Sequence, residues 1–138
     1  MFKMKMAKAY LAIKFHEDFK NKILIEEISN SLNDAGFQTI VMARDYEKYG
    51  KVHFSPKELM ELTFELISRS DILVIEFSEK GVGLGIEAGY AYAKRIPIIV
   101  IAREGSDVSD TLKGISKEVI IYKNLRELSE KLRIVIKK

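Results

Sequence analysis

Apolar positions along the chain switch repeatedly between two spacings. Ala9–Phe15 (AYLAIKF) is a short, mostly apolar run and reads as a strand. From His16-Glu17-Asp18 onward the period lengthens. Leu24, Ile25, Ile28, Leu32 and Ala35 recur at helical spacing, and Gly36 stands where a helix end needs positive φ. Phe37–Ala43 (FQTIVMA) reads as a second strand, and Arg44–Phe54 as a polar loop. Ser55-Pro56-Lys57-Glu58 is a helix start, with a Ser cap, Pro at the first helical position and Glu at the third. Leu59, Leu62, Leu66 and Ile67 supply that helix with a buried face. Asp71–Phe77 (DILVIEF) and Pro97–Ala102 (PIIVIA) are the third and fourth strands, separated by a glycine-rich loop and a helix from about Gly85 to Lys94. Glu118–Tyr122 (EVIIY) is the fifth strand. Asn124 caps a last helix with Leu125, Leu128, Leu132 and Val135 on one side, and Lys131–Lys138 contributes its polar side.

Strands alternating with helices imply right-handed crossovers and a parallel sheet. The near-continuous apolar character of the third and fourth strands fits central strands buried on both faces. The expectation is therefore an α/β, flavodoxin-like three-layer sandwich with a five-stranded parallel sheet in order 2-1-3-4-5. The length, 138 residues, leaves room for one domain, residues 1–138, without repeat or linker.

Composition narrows the chemistry. The chain has no Cys, which removes thiol catalysis, disulfides and cysteine-held metals, and 2 His leave little for a metal site. We expect no metal and no cofactor. Lys+Arg 23 against Asp+Glu 20 leaves a net charge of +3, spread along the chain, so no nucleic-acid footprint is expected. Lys3, Lys5 and Lys8 precede no apolar h-region, and runs such as Ile98–Ala102 are far shorter than the roughly 20 residues a bilayer requires. The expectation is a cytoplasmic protein with no membrane partner.

In a sheet of order 2-1-3-4-5 a ligand sits beyond the carboxyl ends of strands 1 and 3, where the order reverses. Lys14-Phe15-His16 and Ser78–Gly85 border that crevice. The second segment continues as SEKGVGLGIEAGY, which places Gly81, Gly83, Gly85 and Gly89, four of eight glycines, within nine positions. Such a turn lets backbone approach a ligand and exposes N–H groups at a helix start, but it serves tight packing equally well. The spacing is not that of a dinucleotide fingerprint, and no Walker Lys-Ser/Thr is present. Glu87 falls in the first turn of the following helix, where the dipole favours its ionised form. It reads either as a helix-capping acid or as a nucleophile or base at the mouth of the crevice.

Asp71–Ile101, and above all G-V-G-L-G-I-E-A-G-Y-A at residues 81–91, resembles the core of the nucleoside 2-deoxyribosyltransferase superfamily, which includes 2′-deoxynucleoside 5′-monophosphate N-glycosidases. The resemblance implies that Glu87 attacks the anomeric carbon of a deoxyribose and releases the base. A second base or water then resolves the glycosyl ester. Tyr10 falls on a Tyr that hydrogen-bonds and positions that carboxylate; without the resemblance it is a core aromatic. The stretch Ala12-Ile13-Lys14-Phe15-His16 falls on the loop that holds sugar or phosphate, with Lys14 and His16 as phosphate ligands or simply solvated groups. Ser109 resembles a Ser that reaches a neighbouring subunit's phosphate site, which implies a homodimer, and it also suits a helix N-cap. The implied partner is a small nucleoside or nucleotide. The other reading is a non-catalytic nucleotide-binding module of the same fold.

Two positions depart from the family. The acid expected eight residues before Asp71 is Thr63, which cannot act as a general acid, and Glu61 and Glu65 point away from its face. Asp45 is a conceivable substitute. The residue opening the glycine turn is Gly81 rather than Asp or Ser. Arg44, Asp45 and His53 lie on a loop able to cover the crevice, and read mainly as solvated. Tyr90 and Tyr92 lie on different faces of their helix, so at most one meets the site.

Overall fold

The computed structural model describes residues 6–136, so Lys3, Lys5 and the Lys137-Lys138 end of the tail lie outside the described residues. The elements run β1 (Ala7–Ile13), α1 (Lys22–Asp34), β2 (Phe37–Ile40), a short π-helix (Met42–Tyr46), α2 (Pro56–Ser68), β3 (Ile72–Glu76), α3 (Val82–Ala93), β4 (Ile98–Arg103), α4 (Asp110–Ile115), β5 (Glu118–Tyr122) and α5 (Leu125–Ile136). The five strands form one parallel sheet in order β2-β1-β3-β4-β5, as the alternation of periods predicts.

Side-chain alternation along the strands divides the core in two. Tyr10, Ala12, Leu73, Ile75, Ile98 and Val100 point to the α2–α3–α4 side. Ala9, Leu11, Val74, Ile99, Ile101 and Ile120 point to the α1–α5 side. Both faces are covered, so these strands need no polar alternation.

Local chemistry closes the helices where the sequence indicates. Gly36 ends α1 with φ +96. Ser55 and Glu58 form a reciprocal capping box ahead of Pro56. Asn124 Oδ1 accepts from Glu127 N at 2.9 Å.

Three boundaries differ from expectation. β1 runs over residues 7–13 rather than 9–15, which frees Lys14 and Phe15 from the sheet. β2 stops at Ile40 because the chain winds into the π-helix instead of staying extended to residue 43. α3 starts at Val82, not near Gly85. Gly81 is an extended N-cap (φ −163), and Gly83 and Gly85 are helical. Each helical glycine costs about 1 kcal/mol against Ala, which burial of Leu84, Ala88 and Ala91 against the sheet offsets.

A buried acid locks the carboxyl edge of the sheet. Glu76, 3% exposed at the end of β3, accepts from Tyr122 Oη at 2.5 Å and from Ser78 N at 2.6 Å. Ser78 Oγ in turn accepts from Arg103 N at 2.9 Å. These bonds join β3, β4 and β5 and fix the start of the glycine turn. Glu76→Ala strands one buried and one part-buried donor, so we expect a stability loss of about 2–3 kcal/mol by urea denaturation. A loss below about 0.5 kcal/mol would show that water replaces the carboxylate without cost.

Candidate functional site

A cavity of about 410 Å³ opens at the carboxyl ends of β1 and β3, within the size range of small-molecule sites. β1 supplies Tyr10 and Ala12, and the segment after it Lys14, Phe15, His16 and Phe19. The β2–α2 loop supplies Met42 and Glu47, and α2 supplies Met60 and Thr63. Gly81, Gly83, Leu84 and Glu87 come from the turn and helix that follow β3. Of the catalytic and substrate-binding candidates in the sequence, Tyr10, Ala12, Lys14, His16, Gly81, Gly83 and Glu87 share one cavity.

Ser109 and Gly85 do not join them. They line a separate shallow recess on the other side of α3, with Gly89 and Thr111. Ser109 Oγ caps α4 by accepting from Leu112 N at 3.3 Å.

Glu87 lies in the second turn of α3, because the helix begins five residues before it. The first-turn placement expected from the sequence is thus corrected, and so is the helix-dipole argument that accompanied it, since that effect fades within a turn. The carboxylate is half-buried, and desolvation pushes its pKa up to about 7. Near neutral pH it is ionised in only part of the molecules.

Tyr10 is 1% exposed. Burial raises its pKa, and the nearby Glu87 and Glu47 carboxylates raise it further. The neighbouring Thr63 hydroxyl opposes that rise, and its Oγ1 donates to Leu59 O at 2.7 Å. The direct bond from Tyr10 to Glu87 that the resemblance implies is not formed in this conformation.

The loop residues sort differently from expectation. Asp45 points away from the cavity, accepting from Val41 N at 2.8 Å and pairing with Arg44 Nε at 2.9 Å. It is no substitute acid. Arg44 also donates to Ser29 and Thr39 on the same outer face. Glu47, two residues further on, lines the cavity, and burial raises its pKa while His53 opposes the rise. Sequence reasoning missed Glu47, since an irregular loop offers no period from which its direction can be read. Tyr90 packs on Phe64 with ring centroids 4.4 Å apart, and Tyr92 is 60% exposed, so neither meets the site. Phe15, Phe19 and Tyr49 form an edge-to-face row at the cavity mouth, with centroids 5.8 and 5.7 Å apart.

Lys14 and His16 both line the cavity, and His16 is already paired with a carboxylate. His16 Nε2 and Glu79 Oε2 are 2.5 Å apart, and Lys20 Nζ lies 3.9 Å from the same carboxylate. The His16 hydrogen bond, with Lys20 and Lys14 nearby, lowers the pKa of Glu79. Beyond this cluster a second recess of about 560 Å³ shares Lys14, His16 and Asn21 with the first. Among the described residues no group of three or more side chains is arranged to hold a metal ion, and no helix is long and apolar enough to cross a membrane.

No family model matches the chain. It is 29% identical over 132 residues to a Thermofilum pendens protein named "Putative 2'-deoxynucleoside 5'-phosphate N-hydrolase 1", covering 91% of this chain and 92% of that one. Among solved structures, the Clostridium botulinum CMP N-glycosidase BcmB superposes with a TM-score of 0.67 at 24% identity, covering 92% of this chain and 98% of that one. The 2-deoxyribosyltransferase of Bacillus psychrosaccharolyticus superposes with a TM-score of 0.70 at 18% identity, covering 89% and 90%. At these identities the two solved structures share the fold. The Thermofilum pendens match supports the resemblance that residues 81–91 carry, and the two solved structures share the fold it implies.

Proposed function

We propose that the protein is an enzyme that cleaves or transfers the N-glycosidic bond of a deoxynucleoside or its 5′-monophosphate, with Glu87 as nucleophile. The observation that carries this reading is the position of Glu87. Its carboxylate is partly desolvated and faces a nucleoside-sized cavity at the point where the strand order reverses. The Thermofilum pendens relative, named for hydrolysis of this class of bond, supports the same reading.

In the first step a Glu87 oxygen attacks the anomeric carbon, the C–N bond breaks, and its electron pair leaves with the base. Water or a second base then displaces the carboxylate and restores it. The half-buried setting favours the step, because a poorly solvated carboxylate is the stronger nucleophile once ionised. The Tyr10 hydroxyl lies close enough to feel the Glu87 charge and is the group placed to donate a hydrogen bond to the ionised carboxylate. Phe15 and Phe19 line the cavity and give a base aromatic surface to pack against.

The implied dimer belongs to the same proposal. Support comes from Val82 and Ile86, 82% and 47% exposed on α3, and from the open space over Gly85 and Gly89 near Ser109.

The test is incubation with deoxynucleosides and their 5′-monophosphates, with and without an acceptor base, following base release by chromatography. Release without acceptor marks a hydrolase, and release that requires one marks a transferase. Binding without release on any substrate would overturn the catalytic reading in favour of a binding module.

A further inference from the structure

We infer that Glu47 is the proton donor to the leaving base, the part for which position 63 holds only a threonine; the inference rests on the reading of Glu87 as nucleophile. Three structural features place Glu47 there.

The first is the cavity itself. Glu47 and Glu87 line the same space, one from the β2–α2 loop and one from α3. Tyr10 lines that space with them, and its hydroxyl feels the charge of both. The two carboxylates therefore border one space next to Tyr10. A sugar held against Glu87 would direct its base toward the loop side, where Glu47, Met42 and Phe19 are found.

The second is the backbone that carries Glu47. It follows directly on the π-helix Met42–Tyr46, and its N–H bonds Met42 O at 2.9 Å. The next two residues, Lys48 and Tyr49, are both left-handed, with φ 50 and 52. Left-handed non-glycine residues are unfavourable, and two in succession persist only where surrounding structure imposes them. Here Glu47 O accepts from both Gly50 N and Val52 N at 3.0 Å, and Gly50, at φ +93, meets the Phe19 ring so closely that a Cβ would lie 3.2 Å from it. The turn is overdetermined, and it holds Glu47, half-buried, at the wall of the cavity.

The third is the absence of a competing acid. Asp45 is held outside by Val41 N and Arg44, and α2 presents Leu59, Met60 and Thr63 to the cavity. The titratable groups around Glu47 are His53 and Tyr46 of its own loop, Tyr10 of β1, Glu87 of α3, and Lys14 and His16 at the mouth. Of these only Glu47 and Glu87 are carboxylates, and Glu87 is committed to the sugar.

The protons balance. Protonated Glu47 gives its proton to the base nitrogen as the C–N bond breaks, leaving a neutral base and an ionised Glu47. That carboxylate then takes the proton of the incoming water or acceptor base.

The test compares Glu47→Gln with the unchanged protein on two substrates: an ordinary deoxynucleoside, and N7-methyl-2′-deoxyguanosine, whose cationic base leaves without being protonated. Glu47→Gln is expected to slow release from the ordinary substrate about 100-fold or more and to leave the N7-methyl substrate within about threefold. The alkaline decline of the pH–rate profile should vanish, leaving a rate that rises with Glu87 ionisation. Equal losses on both substrates, or no loss on either, would overturn the assignment. Thermal melting of the variant checks that the loop is intact. If the unchanged protein releases base from neither substrate, the reading of Glu87 fails instead, a result distinct from both.

Discussion

Glu87→Gln is expected to lower base release about 10⁴-fold, on ordinary and N7-methylated substrates alike. The amide keeps the size of the side chain but cannot form the glycosyl ester, so a readily departing base gives no rescue. This separates the nucleophile from a proton donor, whose loss an activated leaving group repairs. The same substitution should stabilise the fold at alkaline pH. A carboxyl group whose folded pKa lies above its ordinary 4.5, at about 7, holds a proton in the folded state that the unfolded chain has already released. Stability from this group is therefore highest below about pH 4.5, falls as pH rises towards 7, and stays reduced above it. This is the reverse of a salt-bridged carboxylate. The rise corresponds to about 3 kcal/mol, and partial exposure reduces it to roughly 2. Denaturation at pH 8 should thus find Glu87→Gln about 2 kcal/mol more stable than the unchanged protein, and at pH 4 nearly equal to it. Unchanged activity, or a variant less stable at pH 8, would make Glu87 an ordinary structural acid.

The order of the sheet was legible because each strand is a short apolar run and each helix repeats its apolar positions, and both patterns survive in a single sequence. Glu87 was legible because four glycines and a carboxylate stand together in a dozen residues. The helix start was misread there: glycines mark a turn on average, but packing of Leu84 and Ala88 on the sheet outweighed the propensity cost and drew Gly83 and Gly85 into α3. The second carboxylate was not legible. Asp45 and Glu47 are equivalent in composition, and which faces inward depends on a π-helix and two left-handed residues that no local propensity favours. The state of Lys14 and His16 was also hidden. Their positions follow from the end of β1, whereas the carboxylate that pairs with His16 comes from Glu79, 63 residues further on. Long-range pairing of this kind leaves no periodic trace.

That pairing sets the second large expectation. Glu79 occupies the position of an anion against His16 and Lys20, so a substrate phosphate entering there meets a negative charge where the sequence promised only positive ones. A dianionic phosphate about 5 Å from a carboxylate is repelled by roughly 2 kcal/mol in water-like surroundings, and by more where the recess excludes water. The pair that Glu79 forms is partly exposed and contributes little stability of its own, so its removal should not disturb the fold. Glu79→Gln is accordingly expected to raise kcat/KM for a 5′-monophosphate about 30- to 100-fold while changing that for the corresponding nucleoside less than about twofold. Steady-state kinetics on the matched pair of substrates measures both. The gain should shrink at 1 M salt, where screening extends only about 3 Å. A parallel change in both substrates would show that the phosphate lies elsewhere. A loss confined to the monophosphate would show that Glu79 orients His16 as a phosphate ligand rather than replacing the phosphate. The outcome expected here makes one exposed carboxylate the determinant of whether the site accepts a nucleoside or its phosphate.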